Sequence, residues 1–129
     1  MDLLALSKTV ADRVEAEAAK RKVPIAVCVI DIHGNMILSH RMNGAPVFAA
    51  EIAERKAYTS ALVRMRTADI FPLVQPGQPL YPLSMVAGGK YCGMGGGIPL
   101  MDGDQAVGGV GVSGGTVDDD VAIVAAAQK

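Results

Sequence analysis

The chain has 129 residues, enough for one domain with a hydrophobic core, and half of them are hydrophobic although only 4% are aromatic. The formal net charge is −1 and no basic stripe is present, which argues against nucleic acid as a partner. No run approaches the roughly 20 apolar residues of a membrane span. The start of the chain lacks the apolar segment of a signal peptide, and the two cysteines are far apart. We therefore expect a single domain over residues 1–129 with reduced thiols and a cytoplasmic location.

The first third of the chain predicts a helix followed by a hairpin. Apolar residues recur every three or four positions over residues 2–22, which is typical of an amphipathic surface helix. Both alternating faces of residues 24–32 are apolar, which predicts a central strand covered on both sides and places Cys28 in the core. His33-Gly34-Asn35 is a predicted turn, and residues 36–40 form the partner strand.

A second helix is predicted over residues 46–66, beginning at a proline that suits a first helical turn. One side carries mostly small residues, with a lysine in the middle and an arginine at the end: Ala49, Ala53, Lys56, Ala57, Ser60 and Arg64. Such a stripe permits close packing on a sheet. Lys56 has two interpretations: a snorkelling or salt-bridged lysine with a C-terminal aspartate as partner, or a cation facing a pocket that holds a carboxylate-bearing ligand.

The segment after this helix predicts one short helical turn and then an irregular connection. Residues 67–70 form the turn, which Pro72 ends, and further prolines follow at positions 76, 79 and 82. The connection carries apolar side chains that need to be buried: Phe71, Leu73, Leu80 and Tyr81. We expect it to be a binding loop or a contact with another subunit.

The glycine-rich residues 88–116 predict a hairpin rather than a linker, because strand-forming residues are interleaved with the glycines. One strand surrounds Ile98 and the other Val107, and Asp102-Gly103-Asp104 is the turn. The glycines let another backbone approach closely. Residues 91–94 allow a further short strand.

The last helix is predicted over residues 117–128, after a capping box that starts at Thr116. Residues 109–114 fit the pattern GxGxxG, but the chain ends before the strand and acidic residue that a dinucleotide-binding fold needs. Three aspartates at positions 118–120 would repel phosphate from this helix start. No HExxH or CxxC motif is present, so no metal site is predicted, and no nucleophile–base pair is visible, which favours binding over catalysis.

Several short motifs follow one another in a specific order along nearly the whole chain. They comprise Pro24, residues 27–31, Gly34, residues 41–45, Ile52, Ala53, Lys56, Ala57, Thr59, residues 96–99, Gly108, residues 111–114 and Asp120. With them the chain resembles the GlcG/HbpS-like family, which includes the C-terminal domain of PduO-type corrinoid adenosyltransferases. The resemblance implies an α/β (α+β) fold with a five-stranded antiparallel sheet flanked by helices on both faces, of the profilin-like or roadblock-like type. It also implies homo-oligomers and haem or another tetrapyrrole as ligand.

Haem requires an axial ligand such as His, Met, Cys or Tyr. Some haem-binding relatives carry a histidine ligand in the N-terminal helix, but here that helix has no such residue after Met1. The candidates therefore lie elsewhere: His33, Met36, His40, Met42, Tyr58 and Tyr91. We select His40 as the candidate axial ligand to test first.

We therefore expect a small-ligand binding protein, with haem or a corrinoid as the ligand. Its pocket would be lined by Lys56, Arg41, Gly96, Gly97 and Ser113, and Lys56 would neutralise a ligand carboxylate. The alternative is a non-enzymatic oligomeric accessory protein in diol, glycerol or glycolate metabolism, with the apolar residues 71–81 as its interface.

Overall fold

A computed structural model of the protein describes residues 1–128. Helix α1 spans Leu3–Arg21 and begins after Asp2, whose carboxylate accepts a hydrogen bond of 3.0 Å from the Ala5 N–H. It ends where Lys22 adopts a left-handed conformation.

Three further helices follow. Helix α2 spans Ala49–Val63, and α3 is a short helix, Thr67–Ile70. Helix α4 spans Val117–Val124 and continues as a 3-10 turn, Ala125–Gln128. The helix predictions are therefore confirmed, although α2 begins three residues after Pro46.

The sheet has four antiparallel strands in the described part of the chain: β1 (Ala26–Asp31), β2 (Met36–Arg41), β3 (Gly97–Asp102) and β4 (Gln105–Ser113). Their order is β2-β1-β4-β3, so two hairpins join through β1 and β4 at the centre. In the second hairpin Asp102 pairs with Gln105, which confirms the turn predicted there. The central position of β1 is also confirmed, because its residues 26–30 are all buried.

The expectation of five strands is wrong for residues 1–128. Residues 91–94, which allow a further strand by sequence, pair with no strand. The Cys92 N–H instead donates a hydrogen bond of 2.8 Å to Oγ1 of Thr59 on α2. A helix side chain therefore takes up the backbone donor that an added strand would use. Three 3-10 turns precede this segment: Phe71–Val74, Tyr81–Met85 and Ala87–Gly89.

Helix α2 lies directly against β4, with backbone close to backbone. A Cβ atom added to Gly111 would overlap the carbonyl oxygen of Ala53, and one added to Gly109 would overlap that of Ala57. Both alanines are fully buried. The predicted close approach between the glycines of the hairpin and the small-residue side of the helix is therefore confirmed.

The other face of the sheet is covered by α1 and α4, so helices flank both faces as expected. Val10, Val14 and Ala18 of α1 belong to one buried cluster with apolar residues of all four strands and with Ile123 of α4. The predicted capping box at the start of α4 is present: Thr116 and Asp119 exchange two hydrogen bonds of 3.1 Å. None of the helices in residues 1–128 combines the length and apolar character needed to cross a membrane.

Candidate functional site

Lys56 lies beneath the surface, between α2, β4 and α4. Its ammonium donates hydrogen bonds to the Val112 carbonyl at 2.9 Å and to Oδ2 of Asp120 at 3.0 Å. The two side chains are only 2% and 4% exposed. The interpretation of Lys56 as a lysine salt-bridged to a C-terminal aspartate is therefore confirmed. Direct contact between Lys56 and a ligand stays a prediction.

Asp120 has a second contact that fixes the turn before α4. Its Oδ1 accepts a hydrogen bond of 3.0 Å from the Gly115 N–H. Burial raises the pKa of the Asp120 carboxyl above its ordinary value, although the Lys56 charge and the hydrogen bonds from Lys56 and Gly115 oppose that shift. The ion pair thus ties α4 to the middle of α2.

Gly96 lies against this ion pair, and Gly97 lies against the backbone of Lys56. The Gly96 carbonyl accepts a hydrogen bond of 2.9 Å from the Val112 N–H, and a Cβ atom on Gly96 would lie 2.8 Å from the Lys56 ammonium nitrogen. Gly97 donates its N–H to Oγ1 of Thr67 at 2.8 Å. Ser113 follows Val112 and is buried. Four of the five predicted ligand-binding residues are therefore brought together around Val112.

Arg41 and His40 lie on β2, away from this cluster. In the sheet, Ala26 of β1 pairs with Arg41 on one side and with Ser113 on the other, so a whole strand separates them. The Arg41 guanidinium donates to the Ala45 carbonyl at 3.0 Å. His40 is exposed, and its Nδ1 lies 3.0 Å from Oε2 of Glu15 on α1. Ligand contacts of Arg41 and His40 stay predictions.

An open cavity lies next to the two glycines, between α3 and α4. Its volume is about 400 Å³, and it is lined by Ala68, Phe71, Met94, Gly95, Val117, Asp118 and Val121. A cleft of about 100 Å³ shares Ala68 and Val121 with this cavity and adds Gly96, Gly97 and Arg66. We call the cavity and the cleft together the α3–α4 groove. Its volume is in the range of small-molecule sites, which is roughly 300–1,000 Å³.

The α3–α4 groove is apolar along most of its length and has a cation at one end. Phe71 and Met94 are 50% and 39% exposed, so an aromatic ring and a thioether face solvent. Arg66 forms two hydrogen bonds of 3.0 Å with Asp69, and this contact lowers the pKa of that carboxyl. Such a lining suits a flat apolar molecule; Asp69 offsets part of the Arg66 charge, and Asp118 adds a carboxylate to the lining.

Sequence reasoning identified the glycines of this site and predicted a binding loop or subunit contact at Phe71, but it did not identify the other walls. Met94 follows a stretch without periodicity, and Arg66 stands at the predicted end of a helix with no motif around it. The sequence gives one local indication for Met94, which immediately precedes Gly95-Gly96-Gly97, the glycines that lie in the groove. Nothing in the sequence indicates that Phe71 and Val121 meet there.

The two cysteines form no disulfide. Cys28 and Cys92 are free thiols, and Cys28 is fully buried, as predicted. Burial, with a smaller contribution from the negative charge of Glu54, raises the pKa of Cys28 to about 12. In the part of the chain that the structure describes, no three His, Cys, Asp or Glu side chains are grouped so that they could hold a metal ion.

Comparison with known proteins places the chain in a family. The model of the family described as "Haem degrading protein HbpS-like" matches residues 4–129. An uncharacterised 15.0 kDa protein from the dhaT-dhaS intergenic region of Citrobacter freundii is 41% identical over 117 residues, which cover 91% of this chain and 82% of that protein.

Two further matches involve PduO. Corrinoid adenosyltransferase PduO of Salmonella typhimurium is 34% identical over 122 residues, which are 95% of this chain but only 35% of that enzyme. The protein chain in the crystal structure of a PduOC:heme complex is 32% identical in sequence to this chain. The two structures superpose with a TM-score of 0.90, and the match covers 95% of this chain and 89% of that one. The resemblance noted in the sequence is confirmed, and the chain belongs to the HbpS-like family.

Proposed function

We propose that the protein binds haem, or a related tetrapyrrole, in the α3–α4 groove. The observation that carries the proposal is the exposed apolar lining of the groove, with a thioether at Met94 and a guanidinium at Arg66. The heme complex of PduOC, a protein with the same fold and 32% identity, supports haem as the favoured ligand.

The residues of the groove fit the chemistry of haem. Phe71, Val117 and Val121 offer apolar contact for a macrocycle. Methionine is one of the axial ligands that haem iron accepts, and Met94 is exposed in the groove. The carboxylates of haem would lie toward Arg66 and away from Asp118, because like charges repel. When bound, haem would supply redox-active iron, and the groove would hold it and limit its contact with water.

The buried ion pair has an indirect role in this proposal. Lys56 and Asp120 hold α4, which carries Val117 and Val121, against the sheet. Gly96 and Gly97 lack side chains that would fill the cleft. In this arrangement Lys56 positions the groove wall, whereas Arg66 meets the ligand. Direct ligand contacts of Arg41 and His40 would place the ligand elsewhere, on β2, and His40 as axial ligand would place it on the side where His40 contacts Glu15 of α1. Ser113 lies beside Val112 and the ion pair, a strand away from Arg41.

A visible-absorption titration with haemin tests the proposal and separates the two locations. We expect a saturable, shifted Soret band for the wild type and for Met101→Leu, a matched control because Met101 is a similarly exposed methionine on β3. Met94→Leu should change the band, and Arg66→Met should weaken binding. A Soret band that changes in His40→Ala but not in Met94→Leu would indicate that the ligand binds at β2. A spectrum equal to that of free haemin would reject haem, and a parallel titration with cobalamin tests a corrinoid.

A second candidate function is that of an oligomeric accessory protein, in the diol, glycerol or glycolate metabolism that the sequence resemblance implies. The observation that favours it is a row of exposed apolar side chains in the irregular connection: Phe71, Leu80, Tyr81, Met85 and Val86. Apolar patches of this kind mark contact surfaces. Light scattering tests it: an oligomer that Leu80→Asp and Met85→Asp dissociate would support this function, and a monomeric wild type would reject it.

A further inference from the structure

A second, smaller pocket lies on the α2 side of the sheet, beside the turn between β1 and β2. It has a volume of about 130 Å³ and is lined by Ile30, Gly34, Met36, Glu54, Arg55, Tyr58 and Lys90. Only a small molecule would fit in this volume. The pocket shares no lining residue with the α3–α4 groove.

One wall of this pocket carries a cation that the fold holds in place. The Lys90 ammonium lies 5.5 Å from the centroid of the Tyr58 ring, over its face. Arg55 donates a hydrogen bond of 2.9 Å to the carbonyl of Gly89, the residue before Lys90. Arg55 is itself paired with Glu51 at 3.1 Å. Among residues 1–128, no carboxylate forms an ion pair with Lys90.

Another wall carries a carboxylate without a partner. Glu54 lies one helical turn before Tyr58 on α2 and lines the same pocket. In the described chain it forms neither a salt bridge nor a hydrogen bond. Glu54 and Lys90 therefore have opposite charges, share a cavity and do not meet each other.

Two opposite, unpaired charges on one pocket are complementary to a ligand that carries both. A simple anion would satisfy Lys90 and be repelled by Glu54, and a simple cation would meet the reverse situation. We propose that this pocket binds a small zwitterion, such as a free amino acid, with its carboxylate at Lys90 and its ammonium at Glu54. The Tyr58 ring and the Met36 side chain supply apolar surface in the same pocket.

Amide chemical shifts of the full chain test this proposal, since they detect weak binding residue by residue. The probes are glycine and β-alanine, which carry both charges, and acetate and methylammonium, which carry one each. We expect saturable shifts at the Gly34 and Lys90 amides with at least one zwitterion and weaker binding of both single-charge probes. Acetate binding as tightly as the better zwitterion would overturn the proposal, and so would the absence of saturable shifts with both zwitterions.

Two charge-removing variants assign the contacts. Lys90→Met and Glu54→Gln should each weaken zwitterion binding by about fivefold, the upper effect of one partly exposed ion pair. Lys8→Met, an exposed lysine on α1 at the opposite face of the sheet, is the matched control and should bind as the wild type does. Unchanged affinity in Glu54→Gln would overturn the two-charge arrangement. This result is independent of the haemin titration, because the two sites share no residue.

Discussion

Lys56 and Asp120 form an ion pair from which solvent is excluded, with 3.0 Å between Nζ and Oδ2 and side chains that are 2% and 4% exposed. The pair joins residues 64 positions apart and connects the middle of α2 to the first turn of α4. Because Asp120 also accepts a hydrogen bond from Gly115, it fixes the chain as it leaves β4. This contact thus adds to the core packing of Ile123 in placing α4 and the groove beside it.

Removal of one partner of this pair should be strongly destabilising. Lys56→Met leaves the Asp120 carboxylate buried without its cation, and we expect the free energy of unfolding to fall by about 3–5 kcal/mol. The double variant Lys56→Met/Asp120→Asn should lose less of the free energy of unfolding than Lys56→Met alone, because no buried charge remains.

Urea denaturation measures the free energy of unfolding of both variants. Glu51→Gln, which breaks an exposed pair with Arg55, is the control and should change little. Equal losses in the single and double variants would contradict this explanation.

The parts of the fold that were predictable are those governed by local periodicity and backbone geometry. Residues 24–32 are apolar on both faces, and that pattern predicted the central strand β1. The turn at Gly103 and the small residues of α2 predicted the second hairpin and its close contact with a helix. These features depend on a few neighbouring residues, so the sequence alone contains them.

The fifth strand and the groove depend on contacts between distant segments. Cys92 is in a stretch that suits a strand, but Thr59 captures its N–H from α2. Phe71, Met94 and Val121 line one cavity although they come from three separate segments without a shared pattern. The sequence shows Lys56 as a lysine among small residues and leaves two interpretations open, because a pattern on one helix does not reveal what packs against it.

A side chain at Gly111 should destabilise the fold. In Gly111→Ala the new Cβ would overlap the Ala53 carbonyl and press on the Ala57 N–H, so α2 has to move away from β4. We expect a loss of about 1–3 kcal/mol in the free energy of unfolding, as for other overpacked cores. Gly103→Ala is the control: nothing lies within 4 Å of its added Cβ, and only its positive φ of 61° is unfavourable. A smaller loss at Gly111 than at Gly103 would argue against backbone contact as the reason for this glycine.

The two cysteines should differ sharply in reactivity. Burial, with a contribution from Glu54, raises the pKa of Cys28 to about 12, so almost no thiolate forms near neutral pH. Cys92 is partly exposed. Ellman's reagent should therefore modify one thiol in the native protein and two after unfolding. The variant Cys92→Ser should show no fast phase, and its slow phase should follow the opening of the core. A fast phase in that variant would mean that the β1 region opens readily.

Asp31 should make stability depend on pH at the acidic end. Burial alone would raise the pKa of its carboxyl, but hydrogen bonds from the backbone N–H groups of Asn35 and His33, and from the Asn35 side chain, outweigh burial and lower it below 3.8. A lowered pKa in the folded state means that the stabilisation by Asp31 is complete above pH 3.8 and disappears as the pH falls through the pKa of the folded state.

Asp31→Asn should therefore lose about 1 kcal/mol of the free energy of unfolding at neutral pH. Its stability should converge with that of the wild type in acid. Asp104→Asn, in the other hairpin turn, controls for the lost charge. A gap between Asp31→Asn and wild type that persists well below pH 3.8 would show that the turn depends on shape and not on the carboxylate.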